Sequence, residues 1–204
     1  MTYEDIKRNI GKRLGDPDLD IYRGLVGDMF VNAMCDLLME DKYQPEDIPD
    51  LLVDTEPVDE DGDSVDVAFV NWEGSWELPR DTLKFLDVYL STADLMTTQL
   101  TLKEVDHEEI KRIQLEPAFA PTHTECFWYR KGASIKFVLS KDFKPSESPA
   151  SFPFVFSYIK NPNPDDWTTV IDLISNKGYS RDFLYTAING AVNMLKGSEL
   201  RVAE

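Results

Sequence analysis

The chain has little of what most site chemistry needs. It carries two histidines and two cysteines in 204 residues. Cys35 and Cys126 lie far apart and in no paired motif, which excludes a disulfide framework. Basic residues are scarce: 21 Lys and Arg stand against 38 Asp and Glu, for a net charge of -17. So acidic a chain lacks the basic footprint that grips phosphates, which argues against a sequence-reading DNA or RNA binder. Attachment to an anionic membrane through a polybasic patch is excluded for the same reason. Long apolar runs are also missing. The stretch from Phe152 to Ile159 falls far short of the roughly 20 residues that a membrane-spanning helix takes. The opening MTYEDIKRNIGKR is charged and has no apolar signal-peptide core, so no export is expected.

What is present suits a folded body. Hydrophobic residues make up 42% and aromatics 11%, enough to bury a core. The charge is unevenly spread. Residues 1–66 hold 19 acidic and 6 basic residues, a net of -13, and residues 67–204 hold 19 and 15, a net of -4. The front reads helical and acidic, the remainder strand-rich and nearly balanced.

Tyr3, Ile6, Ile10 and Leu14 recur at helical spacing, and Thr2 with Asp5 resembles a capping box. Gly15 ends that helix. Asp16-Pro17 then reads as an N-cap followed by a first-turn proline, predicting a second helix from there to about Asp41. Between Pro45 and Pro49 only a short turn of helix fits. An acidic loop follows, with Asp59-Glu60-Asp61-Gly62-Asp63 at its centre. From Val65 the period shifts towards two. Strands are expected at 65–69, 82–91, 95–105, 126–130, 134–139 and 152–159, with a last one from Trp167 to Ile174. Asp106 with Glu109 predicts a capped helix to Ile113. Lys131-Gly132-Ala133 is a hairpin turn. Ser180 caps a terminal helix whose stripe is Leu184, Ile188, Ala191, Val192 and Leu195, and Gly197 sits where a helix-ending glycine belongs.

The fold expected is therefore α+β: two N-terminal helices, a central antiparallel β-rich domain with a short helix, and a C-terminal helix. The expected segments are 1–56 for the helical region, with the acidic loop following to 66, 67–175 for the β-rich domain, and 176–204 for the terminal helix and tail.

No motif points to catalysis. Asp59-x-Asp61-x-Asp63 opens like a calcium loop, but its sixth position is Ser64 where glycine is needed. Its twelfth is Val70 where a bidentate glutamate is needed, so it reads as a solvated acidic loop. His123 and Cys126 lie close, yet the other His and Cys are the distant His107 and Cys35. A four-ligand zinc site does not assemble, and Cys126 reads as a small core residue. Nucleophile elbow, phosphate loop and dinucleotide fingerprint are all missing. Trp72, Trp76, Phe127, Trp128 and Tyr129 lack the positive groove of a stacking platform for single strands and read as core or protein interface. Met29, Met34 and Met39 lie at helical spacing and read as core. The expectation is no enzyme, no cofactor and no resident metal.

A resemblance rests on the order of the pieces. An acidic helix ends in Cys35-Asp36-Leu37-Leu38 and leads into Tyr43-Gln44-Pro45-Glu46-Asp47-Ile48-Pro49. Trp76-Glu77-Leu78-Pro79-Arg80-Asp81-Thr82-Leu83-Lys84 opens a strand, and Glu108-Glu109-Ile110 starts a helix. Pro121 and Thr122 precede the hairpin Phe127-Trp128-Tyr129-Arg130-Lys131-Gly132, and a helix from Arg181 to Leu195 comes last. In this layout the chain resembles tailed-phage head-to-tail connectors, the adaptor, ring or neck proteins, of podovirus-like or crAss-like kind. The resemblance covers the order of elements and no diagnostic string. It implies a virion subunit, assembled in the host cytoplasm into a homo-oligomeric ring. Its partners would be further copies, the portal, and tail or other ring proteins. Genomic DNA would pass without specific binding, and no membrane would be involved.

The interface residues chosen on that reading are Phe183, Leu184, Ile188, Val192 and Leu195 of the terminal helix, with Trp128 and Tyr129 of the hairpin. Asp59, Glu60, Asp61 and Asp63 are the candidates for a lumen lining that repels phosphates. The competing reading is an acidic interaction protein, a DNA mimic or inhibitor that binds a basic partner. A metal-dependent enzyme ranks last, because no convincing carboxylate set presents itself.

Overall fold

Two residues, Thr2 and Asp5, set the start of the first helix, α1 (Tyr3–Leu14). Thr2 Oγ1 accepts from the Asp5 N–H at 3.2 Å, and the Asp5 carboxylate accepts from the Thr2 N–H at 2.9 Å. This capping box satisfies two donors that the first turn leaves orphaned. Gly15, at φ +80°, closes the helix in the left-handed conformation that glycine adopts without a Cβ clash. The structure, a computed structural model, describes residues 1–202 apart from 23, 41, 44, 58–66, 71, 91–100, 117–119, 123, 141–150, 153 and 168–171.

The second helix departs from expectation. Asp16 starts no helix; α2 spans Val26–Met39, and turns make up most of the described residues before it. The buried Asp16 carboxylate accepts from the N–H groups of Asp20, Ile21 and Tyr22 at 3.0, 2.9 and 3.3 Å. An N-cap side chain binds the N–H two or three residues on. Here the donors lie four to six residues on, so the loop wraps around the carboxylate instead of coiling into a helix.

At the other end of the chain, α4 (Arg181–Val202) begins as expected, with Ser180 Oγ accepting from the Phe183 N–H at 3.2 Å. Gly197 does not end it. It lies inside α4, where glycine costs only about 1 kcal/mol relative to alanine and good helix formers surround it. α1, α2 and α4 belong to one unit, Met1–Val53 with Ile159–Glu204. A Cβ added at Gly190 of α4 would meet Ala33 Cβ of α2 at 3.0 Å, so glycine lets the two helices approach. Arg13 of α1 donates to the Asn189 side chain of α4. Linear segmentation keeps 1–56 apart from 176–204, whereas folding builds one helical unit from both ends.

Trp167 closes a short 3-10 helix (Pro164–Trp167) and sits edge-on to Tyr3, Phe30 and Tyr179, with ring centroids 5.5, 6.3 and 6.3 Å away. The expected strand from Trp167 to Ile174 is not formed among its described residues. Asp172 makes only an isolated bridge with Thr2, and turns follow. The Asp172 carboxylate explains why. It accepts from the Ile174 and Ser175 N–H groups at 2.9 and 3.0 Å, bending the chain, and from the Met1 ammonium at 2.8 Å. The bond from that ammonium, then the Ser175 N–H, lowers its pKa from 3.8 to about 2. A carboxyl whose folded pKa is depressed stabilises the fold above its unfolded value. That contribution is lost as pH falls through the folded one. Stability should therefore decline between roughly pH 4 and 2, and Asp172→Asn should flatten that part of a urea-midpoint profile.

The second unit is Asp54–Tyr158. Its larger sheet orders the strands β5-β6-β7-β3-β2-β8. Here β2 is Val67–Val70, β3 Glu73–Glu77, β5 Thr101–Glu104, β6 Glu125–Lys131, β7 Ser134–Leu139 and β8 Ser151–Phe152. β6 and β7 form the expected hairpin around Gly132, at φ +63°. β3 was not expected: Glu73, Ser75 and Glu77 face outward, and only the buried Gly74 and the half-buried Trp76 turn inward. β5 pairs parallel with β6, unlike the antiparallel pairs around it. A parallel pair needs a crossover, and α3 (His107–Leu115) supplies it. Its capping box of Asp106 and Glu109 forms as the sequence predicts. A smaller sheet orders β1 (Leu52–Thr55), β9 (Phe154–Lys160) and β4 (Thr82–Leu90) as β1-β9-β4. The core of this unit gathers Phe69, Trp128, Ile135, Phe137, Leu139, Phe154 and Phe156. The chain is thus α+β, with helices at both ends of a strand-rich centre.

Candidate functional site

All but one of the residues chosen for an interface lie inside the protein. Phe183, Leu184, Ile188, Val192 and Leu195 are all buried, so the α4 stripe serves the chain's own core. Trp128 is buried too, edge-on to Phe85 at 5.6 Å. Tyr129 is half-buried in a small cluster with Val105, Ile110 and Phe127, where burial and then Glu73 push its phenol pKa up. A stripe at helical spacing reads the same whether it covers a core or a partner, which is why the sequence did not separate the two. Asp59, Glu60, Asp61 and Asp63 lie outside the described residues, as does His123.

Cys126 is fully buried in strand β6, its S–H directed at the Phe127 carbonyl oxygen at 3.8 Å. Burial pushes the thiol up to about 12, so it holds no thiolate at neutral pH and supplies no nucleophile. Among the described residues no group of three or more His, Cys, Asp or Glu side chains is arranged to hold a metal ion. Met34 is core, as expected, whereas Met39 is exposed. Trp76 is stacked on Phe156 at 3.9 Å, which makes it core rather than a base-stacking platform.

Two surface features stand out, and neither has a linear signature. The first is the loop held by Asp16. It exposes Ile21 by 76% and Leu25 by 48%, and Asp18 and Asp20 beside them are exposed as well. Scattered exposed apolar residues are ordinary. Two in one loop, fixed in place by three hydrogen bonds to a buried carboxylate, form a presented knob. Leu19, at φ +57°, turns the chain within it.

The second feature is a cleft of about 100 Å³ lined by Lys103, Val105, Glu109, Arg112, Ile113 and Phe127. Its floor is apolar, because Val105 and Phe127 are buried and Ile113 packs against them. Its rim carries two cations and one carboxylate, Glu109. Lys103 and Arg112 are exposed, and Lys103 Nζ stands 5.2 Å from the centre of the Phe127 ring. Glu109 is occupied at the α3 cap, accepting from the Asp106 N–H at 3.1 Å. Nearby, hydrogen bonds from Thr122 and then the Lys103 charge lower the Glu125 pKa. The cleft is well below the roughly 300–1,000 Å³ of small-molecule sites, but an apolar cavity of about 150 Å³ accepts a benzene ring. One aliphatic side chain with a carboxylate beside it suits this space. Lys103 and Arg112 come from β5 and α3, so only the crossover brings them together.

No family model matches the chain, and no curated protein matches it.

Proposed function

We propose that the chain is a structural subunit of a tailed-phage neck, whose copies close into a ring that joins portal to tail and lets DNA pass. The observation that carries this reading is the order of elements. Paired helices open the chain, a strand-rich unit follows, and a terminal helix returns to the first two. In that order of elements the chain resembles head-to-tail connectors. Such a subunit needs self-complementary sides that meet head to tail and close. It works without a cofactor.

The charge suits the same role. A net of -13 over residues 1–66 repels phosphates, and Asp18, Asp20, Asp28, Asp36 and Glu40 are exposed. Repulsion of this kind acts within a Debye length, about 8–10 Å at moderate salt, so it keeps passing DNA from adhering. Native mass measurement of the purified chain tests the proposal. One high-order oligomer of fixed stoichiometry is expected. A stable monomer or dimer that binds a basic protein would favour the acidic inhibitor instead.

A further inference from the structure

We propose that the loop segment Asp18–Tyr22 of one copy docks in the Lys103–Arg112 cleft of a second copy. The inference rests on the ring reading and gives it a contact. The argument is complementarity of two surfaces on this one chain. The loop offers an exposed aliphatic side chain, Ile21, flanked by exposed carboxylates at Asp18 and Asp20. The cleft offers an apolar floor of Val105, Ile113 and Phe127 beneath a rim where Lys103 and Arg112 outnumber the one carboxylate, Glu109, whose oxygen is engaged at the α3 cap.

The charges oppose each other, and the size fits one aliphatic side chain. In a chain of net charge -17, two cations over an apolar floor give the acidic front of another copy a place where attraction offsets the general repulsion. The Asp16 hydrogen bonds hold the loop in shape before it docks, so little ordering cost remains at association. The two faces are different patches, which makes the contact heterologous. Repeated from copy to copy, such a contact closes a ring where its rotation divides a full turn and otherwise winds a filament.

The test is native mass measurement of four proteins at matched concentration: wild type, Lys103→Glu with Arg112→Glu, Ile21→Asp, and a charge swap. The swap joins Lys103→Glu and Arg112→Glu with Asp18→Lys and Asp20→Lys. Reversing the cleft charges, or placing a carboxylate at the knob, should raise the concentration for half-assembly by about tenfold or more. The swap should restore assembly, and Asp18→Lys with Asp20→Lys alone, a fifth protein whose net charge moves from -17 to -13, should impair it, whereas a general charge effect would strengthen it. Thermal melts separate lost docking from lost folding. If the glutamate pair melts low, Lys103→Gln with Arg112→Gln decides in its place. A wild-type ring that all variants form equally well overturns this contact and leaves the ring reading intact. A wild type that stays monomeric overturns the ring reading and this contact with it.

Discussion

Phe154→Ala lowers the unfolding free energy of the strand-rich unit by about 3–5 kcal/mol. Phe154 is fully buried and lies flat on Phe137, with ring centroids 4.4 Å apart and planes 15° from parallel. Phe69 and Phe156 stand at 6.3 Å on other sides of it. Removing the ring takes away its transfer energy and leaves a cavity walled by other aromatic rings, which relax only partly. Domains of this size are stable by roughly 5–15 kcal/mol, so the loss consumes a large share. Urea unfolding followed by tryptophan fluorescence measures it, since Trp128 and Trp76 belong to or pack against the same core. Phe154→Leu should cost much less, about 1–2 kcal/mol, because most of the volume stays. A cost for alanine below about 1 kcal/mol would mean that this core closes around the gap, contrary to its ring packing.

Trp167→Ala has a comparable effect in the helical unit, about 3–5 kcal/mol. Its indole touches rings from three distant stretches: Tyr3 in α1, Phe30 in α2 and Tyr179 just ahead of α4. Edge-to-face pairs add about 0.5–1.5 kcal/mol each beyond burial. Because the indole ties both ends of the chain, its loss should speed amide hydrogen exchange in α1, α2 and α4 together. Exchange that rises only next to residue 167 would mean that the three helices hold each other without it. Trp167→Phe should recover part of the loss.

The parts of this fold that were legible in sequence are those whose signal is local. The capping boxes at Thr2 and Asp106, the Ser180 cap and the Gly132 hairpin each need only a few neighbouring residues, and each forms as read. Local reading failed where a side chain acts over a longer reach. Asp16-Pro17 has the spelling of a helix start, but the Asp16 carboxylate found partners four to six residues on. Asp172 likewise turned an apolar stretch into a bend. Gly197 spells a helix end, and its helix continued because nothing opposed it.

The surfaces were less legible than the fold. Phe183, Leu184, Ile188, Val192 and Leu195 form a stripe that the sequence offers equally to a core or to a partner, and the core took it. Lys103 and Arg112 carry no spacing rule, since they meet only through the parallel pairing of β5 with β6 and the crossover of α3. Ile21 falls within the stretch from Asp16 to Asp41 that reads as one helix, whereas the helix starts only at Val26. A loop that seemed helical and a cleft that spans two elements are both invisible to periodicity.

The scarcity of basic residues acquires a sharper meaning in this light. In a chain of net charge -17, two of the few cations stand over an apolar floor, and an acidic loop with an exposed isoleucine offers the counterpart. Native mass measurement of the purified chain over a range of concentration tests the ring account most directly. The account predicts one closed oligomer of fixed stoichiometry. A chain that remains monomeric at every concentration would contradict it.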